Sequence, residues 1–170
     1  MKGYIHVYTG DGKGKTTAAL GLALRAVCAG KKVFFGQFVK GMDYSELKAA
    51  DFLPNFKMEQ FGRPEFIHGK PTQSDIDNAK KGLDKIHSVL KSGEYDIVVL
   101  DEANIALYYN LFTLDELLNV IMDKPEDIEI IITGRKAPKK LVEVADLVTE
   151  MKEIKHYYQK GVLARKGIEN

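Results

Sequence analysis

The sequence predicts an α/β fold, a mostly parallel sheet with helices on both faces, and three observations carry that prediction. Short apolar runs at residues 4–8, 33–38, 96–100 and 128–133 read as buried strands. Segments with apolar residues three or four apart, the clearest at 72–91, lie between them and read as amphipathic helices. The first strand passes through a glycine-rich loop straight into a helix and then a second strand. That order implies parallel pairing by right-handed crossovers, with strands buried on both faces.

Taken in order, the first strand is Tyr4-Ile5-His6-Val7-Tyr8, and the loop is Thr9-Gly10-Asp11-Gly12-Lys13-Gly14-Lys15-Thr16-Thr17. A helix at 15–29 stops at Gly30, with Lys31 and Lys32 beyond it where the helix dipole favours cations. The second strand, 33–38, delivers Lys40 into a loop. Residues 41–71 are the least regular: a short helix at 45–51 ended by Pro54, a strand at 56–61, and a loop at 62–71 too rich in proline and glycine for either element. In the helix at 72–91, Ile76, Ala79, Leu83, Ile86 and Leu90 share a face, Thr72 and Asp75 resemble a capping box, and Gly93 suits the stop. The strand at 96–100 ends in Asp101-Glu102. Thr113 with Glu116 caps a helix carrying Leu114, Leu117, Leu118 and Ile121, and Pro125 follows it. The strand at 128–133 ends in Gly134-Arg135, Pro138 opens a short helix to 145, and 147–151 is a last strand. With no internal repeat or linker, residues 1–170 read as one nucleotide-binding domain of P-loop type.

The loop carries the chemistry. Glycine permits positive φ, so Gly10, Gly12 and Gly14 let the backbone turn its N–H groups inward around phosphate oxygens. The following helix adds unpaired N–H groups and the positive end of its dipole. Lys15 can reach the phosphates and the Thr16 hydroxyl suits magnesium. The spacing is a variant, because Thr9 stands where the first glycine of a P-loop falls and Gly10 comes one place late. Ligands of open α/β sheets lie beyond the carboxyl ends of the strands, which adds Lys40, Asp101, Glu102 and Arg135 to the candidates. Asp101-Glu102 after four apolar residues is the Walker B pattern for holding magnesium, and either carboxylate could be the ligand. Arg135 suits phosphate oxygens, and Lys40 and Arg25 are further candidate cations. His6, His68 and His87 lack metal-ligand spacing and read as structural.

Composition narrows the classes. With 25 basic and 24 acidic residues the formal charge is +1, so sequence-independent polyanion binding is disfavoured and a nucleic-acid role would need a local patch. The single cysteine, Cys28, excludes an internal disulfide, fits a reducing cytosol and is expected to be a small buried hydrophobe. The first strand starts almost at once, which leaves no room for a signal peptide, and no apolar run approaches a membrane span. A soluble, cytoplasmic protein is expected.

Assembled, these pieces resemble the P-loop cob(I)alamin adenosyltransferases, also called ATP:corrinoid adenosyltransferases. The matching stretches are the glycine loop and its helix, FGQFVKG at 35–41, VVLDE at 98–102, IIITGR at 130–135, and the tail from 145 to 170 with His156, Gly161 and Lys166-Gly167-Ile168. The resemblance implies a RecA-like sheet and a transferase in which the cobalt(I) of a corrinoid attacks the 5′ carbon of ATP and the whole triphosphate leaves. It implies that residues 9–17 and Lys15 hold the triphosphate, that Thr16 and Glu102 coordinate magnesium, and that Phe61, Arg63 and Phe66 occupy the corrin-facing segment after the third strand. There the expected pair of close aromatics is absent. It also implies an electron-donating reductase such as a flavodoxin, a homodimer, and reversed ATP. The chain resembles a short form that begins at the first strand, without the N-terminal helical extension of longer members.

Three other readings compete. A RecA-like ATPase, possibly nucleic-acid dependent, would use Glu102 to activate water and Arg135 to sense the γ-phosphate. A small-molecule kinase would release ADP, and a regulator would bind ATP and leave it intact.

Overall fold

The computed structural model describes residues 2–65, 67 and 69–169. Six strands form one sheet in the order β3-β2-β4-β5-β1-β6: β1 is Ile5–Thr9, β2 Val33–Phe38, β3 Phe56–Phe61, β4 Ile97–Asp101, β5 Glu129–Thr133 and β6 Leu147–Glu150. Every pairing is parallel, so all six carboxyl ends meet at one edge. The helices are α1 (Lys15–Cys28), α2 (Ala49–Phe52), α3 (Gln73–Lys91), α4 (Ala103–Tyr108), α5 (Leu114–Met122) and α6 (Lys139–Val144).

Alternation of side chains along each strand divides the core between the two faces. Phe34, Phe38, Val98, Leu100, Ile130 and Ile132 pack with Leu83, Ile86 and Leu90 of α3 and with Leu117 and Ile121 of α5. Val33, Phe35, Ile97, Val99 and Ile131 point the other way, onto Ala19, Ala23 and Ala26 of α1. Three alanines on that face let α1 lie close to the sheet. Both capping boxes form: Thr72 and Asp75 at the start of α3, Thr113 and Glu116 at the start of α5. No helix among the described residues is long and apolar enough to cross a membrane.

Two features depart from the sequence reading. Residues 103–108, assigned to no element there, are α4, and the tail turns back through a short 3-10 helix, Tyr157–Lys160. Cys28 is exposed, because two residues on from Ala26 it points to the side of α1 opposite the stripe of Ala19, Ala23 and Ala26 that faces the sheet.

The late glycine of the loop has a local cause. Gly10 has φ 96°, and a Cβ built on it would lie 2.4 Å from the Met151 carbonyl oxygen. The chain beyond β6 thus crosses directly over the loop, and Gly12 N–H donates to that same oxygen at 2.8 Å. Gly10→Ala should lower stability by about 1–3 kcal/mol through the left-handed φ alone, with the clash adding to it. A thermal melt at the parent's midpoint would contradict this crossing.

Candidate active site

At the carboxyl edge of the sheet, the loop, Lys40, Tyr44, Glu46, Glu102, Arg135 and the returning tail line a cleft of about 500 Å³. α1 starts beneath it. Its N-cap is Gly14 at φ 119°, with no side chain capping the first turn and no acidic residue in it. The free N–H groups and positive dipole end are therefore available to an anion.

Lys15 is 7% exposed. Its ammonium donates to the carbonyl oxygens of Gly10 at 2.8 Å and Gly12 at 2.7 Å, which braces the loop and leaves one of its three N–H bonds. Burial lowers its pKa from the ordinary lysine value, against the pull of Glu102.

Asp101 is fully buried and its acceptor sites are taken. Oδ1 accepts from the hydroxyls of Thr16 (2.8 Å) and Thr133 (2.6 Å); Oδ2 accepts from Gln37 Nε2 (3.1 Å) and Lys40 Nζ (3.0 Å). Asp101 is thus a hub for four donors, whereas Glu102, the other expected magnesium ligand, lines the cleft. Lys40 lines the cleft, yet its ammonium is committed to Asp101, with Glu46 at 3.8 Å.

Glu102 follows β4 in a left-handed conformation (φ 58°) that turns its side chain toward the cleft. Its N–H donates to Thr133 Oγ1 at 3.0 Å. Burial, then the Asp101 charge, raise its carboxyl pKa, while Lys40, Lys15 and Arg135 pull the other way. The folded state therefore keeps a proton on Glu102 over a range where the unfolded chain has lost it. Stability from this group is full below the unfolded pKa and is lost as pH rises through the folded one. Glu102→Gln should melt higher than the parent near neutral pH, with the gap closing on acidification. A gap that does not change with pH would contradict the burial.

Other candidates fall elsewhere. Arg25 lies at the far end of α1, about 15 Å along the axis from Lys15, and lines a separate cleft with His6, Lys31, Asp96 and Glu129 at the opposite edge of the sheet. The structure does not bring it to the loop. Thr9 Oγ1 accepts from Ala137 N–H at 3.2 Å, Asp11 is exposed, and Thr17 is exposed on the cleft wall. His6 pairs with Glu129 and His87 with Asp123, as structural histidines do; His68 lies outside the described residues.

Phe61 packs inward. Its ring lies 5.3 Å from that of Phe38, and a Cβ on Gly82 of α3 would come within 2.4 Å of it. The ring of Phe61, expected to face the corrin, fills the space beside Gly82, where α3 comes close to β3. Arg63 is held by Glu65 (2.7 Å) and Thr72 (3.0 Å), bracing the start of α3. Phe66 lies outside the described residues.

Several cleft residues escaped sequence reasoning as site residues, among them Tyr44, Glu46, His156, Gly167, Ile168 and Glu169. Lys13, expected in the loop, donates to the Ile168 carbonyl at 2.7 Å and so ties the tail to the loop. Glu169 is itself bound to Tyr157 and Arg165. The acidic signal of 101–102 pointed to the site, but nothing in the pattern marked Gln37, Asn104 or Thr133 as its supports.

An all-parallel sheet with a glycine loop entering α1 and an acidic end on β4 defines a P-loop nucleotide-binding protein. A crystal structure of the RadB recombinase shares this fold at TM-score 0.55 and 15% identity, covering 91% of this chain and 77% of that one. The chain belongs to the ATP:corrinoid adenosyltransferase family BtuR/CobO/CobP, whose profile matches residues 1–170. Corrinoid adenosyltransferases from Sinorhizobium sp and Pseudomonas aeruginosa are each 35% identical over 99% of this chain, which spans 80% and 84% of their lengths. An uncharacterised Nostoc protein, all2391, is 39% identical over 92% of the chain, which spans only 45% of it.

Proposed function

We propose that this protein, acting as a single domain, transfers the 5′-deoxyadenosyl group of ATP to the cobalt(I) of a corrinoid. The observation that carries the reading is the cleft itself, where the uncapped start of α1, Lys15 and Arg135 converge on a space for a polyanion. Family membership supplies the substrate class. In the proposed step the cobalt electron pair forms a bond to C5′ as the C5′–O bond breaks, and that bond's electrons leave with the triphosphate. No proton moves, so the protein's work is alignment and neutralisation of departing charge. The loop N–H groups and Lys15 bind the phosphates, and Arg135 faces them from the end of β5.

The donors present suit magnesium, a hard cation that takes oxygen ligands and keeps only one or two from protein. Thr16 gives its proton to Asp101 and keeps its oxygen lone pairs, while Glu102 offers a carboxylate to the same cleft. These two residues would hold the ion, which when bound would neutralise phosphate charge. The backbone of residues 62–63 crosses that of 40–41, since a Cβ on Gly41 would lie 2.4 Å from the Arg63 backbone, so the segment after β3 lies beside Lys40 of the cleft wall. An electron-donating reductase such as a flavodoxin, a homodimer and a cytoplasmic location belong to the same reading.

Mixing the protein anaerobically with ATP, magnesium and chemically reduced cob(I)alamin should produce the visible spectrum of a cobalt–carbon bond, dependent on ATP. A spectrum unchanged by ATP would overturn the proposal.

A further inference from the structure

We infer that Asn104 is the positioning residue for Arg135, an assignment that rests on the phosphate-binding reading of the cleft. Asn104 is the second residue of α4 and is fully buried. Its Nδ2 donates at 2.9 Å to the carbonyl oxygen of Gly134, the residue directly before Arg135. The partner is an acceptor, so only this amide orientation bonds to it. Oδ1 on the same amide is buried without any partner among the described residues. Burying an unpaired acceptor is unfavourable, and an apolar residue of similar volume would remove it only by leaving the Gly134 carbonyl without its donor. The donor half of the side chain is what the position uses.

What it holds is the turn that carries Arg135. Gly134 has φ 128°, and a Cβ on it would lie 2.9 Å from Asn104 Cβ, so the first turn of α4 presses against the turn after β5. Three hydrogen bonds join the ends of β4 and β5: Thr133 Oγ1 to Asp101 Oδ1, Glu102 N–H to Thr133 Oγ1, and Asn104 Nδ2 to the Gly134 carbonyl. The first two fix the strand ends, and the third fixes the peptide from which Arg135 projects. Arg135 is exposed, and its guanidinium makes no hydrogen bond or ion pair with the other described residues. Its aim at the cleft is therefore set by its backbone. Misplacing a group of this kind by about 1 Å can cost on the order of 10²-fold in rate.

The test is calorimetric titration with magnesium tripolyphosphate, which needs no corrinoid. The parent, Asn104→Ala, Arg135→Ala and the double variant form a cycle, with thermal melts run alongside. Each single change should weaken binding by about tenfold, and the double variant should match Arg135→Ala within about twofold. Losses that multiply, an Asn104→Ala protein that binds like the parent, or an Arg135→Ala protein that does so, would overturn the inference. Asn104→Leu keeps volume and removes both the donor and the orphaned acceptor. It should fold as stably as the parent yet bind as weakly as Asn104→Ala, whereas parental binding by the leucine variant would mean a packing role alone. A parent that does not bind tripolyphosphate would remove the phosphate reading itself, and this inference with it.

Discussion

Lys15→Ala should reduce adenosyl transfer by about 10²- to 10³-fold, the loss typical of removing one preorganised donor from developing negative charge. The lysine is 7% exposed, so its charge acts where water screens little. It is held by two loop carbonyls rather than by a carboxylate, and no counter-ion must be displaced before it meets phosphate. The fold should survive, because the sheet and both core layers lie below the loop. Loss of the two loop bonds should instead appear as weaker ATP binding. A variant with parental turnover would remove Lys15 from the mechanism, and one that no longer melts cooperatively would mean that the loop braces the whole domain.

Asp101→Ala should destabilise the protein by about 3–5 kcal/mol, the cost of removing one partner from a buried ion pair. Lys40 would be left beside the cleft without its principal counter-charge, and Thr16, Thr133 and Gln37 would each lose an acceptor. Against a total stability of about 5–15 kcal/mol that is a large share. Asp101→Asn keeps an acceptor for the hydroxyls and should cost less, with most of its loss at Lys40. Urea unfolding measures both. An alanine variant within about 1 kcal/mol of the parent would show that the hub is not a unit.

Local chemistry explains which parts were legible beforehand. The four strands with apolar runs, the two capping boxes and the glycine loop each signal within a few residues, and each is found where expected. α4 was not legible, since six residues opening on a left-handed glutamate show too little periodicity. Arg25 shares a helix with Lys15, but ten residues of helix separate two ends of a sheet, and spacing alone does not say which end is functional. The hub at Asp101 depends on register: Gln37 pairs directly with Asp101 across β2 and β4, which no local pattern encodes. The tail reaches the loop through Lys13, which meets the Ile168 carbonyl at 2.7 Å and the Glu169 carboxylate at 3.9 Å, and no local pattern joins residues so far apart in the chain.

The likeness to RadB is one of fold, and the bond that breaks in ATP separates an adenosyltransferase from an ATPase built on the same sheet. Phosphorus NMR of the products, after anaerobic reaction with ATP, magnesium and cob(I)alamin, tests this most directly. Inorganic triphosphate formed in equal amount to alkylated corrinoid is the result predicted here. ADP and orthophosphate, with no alkylated corrinoid, would contradict it.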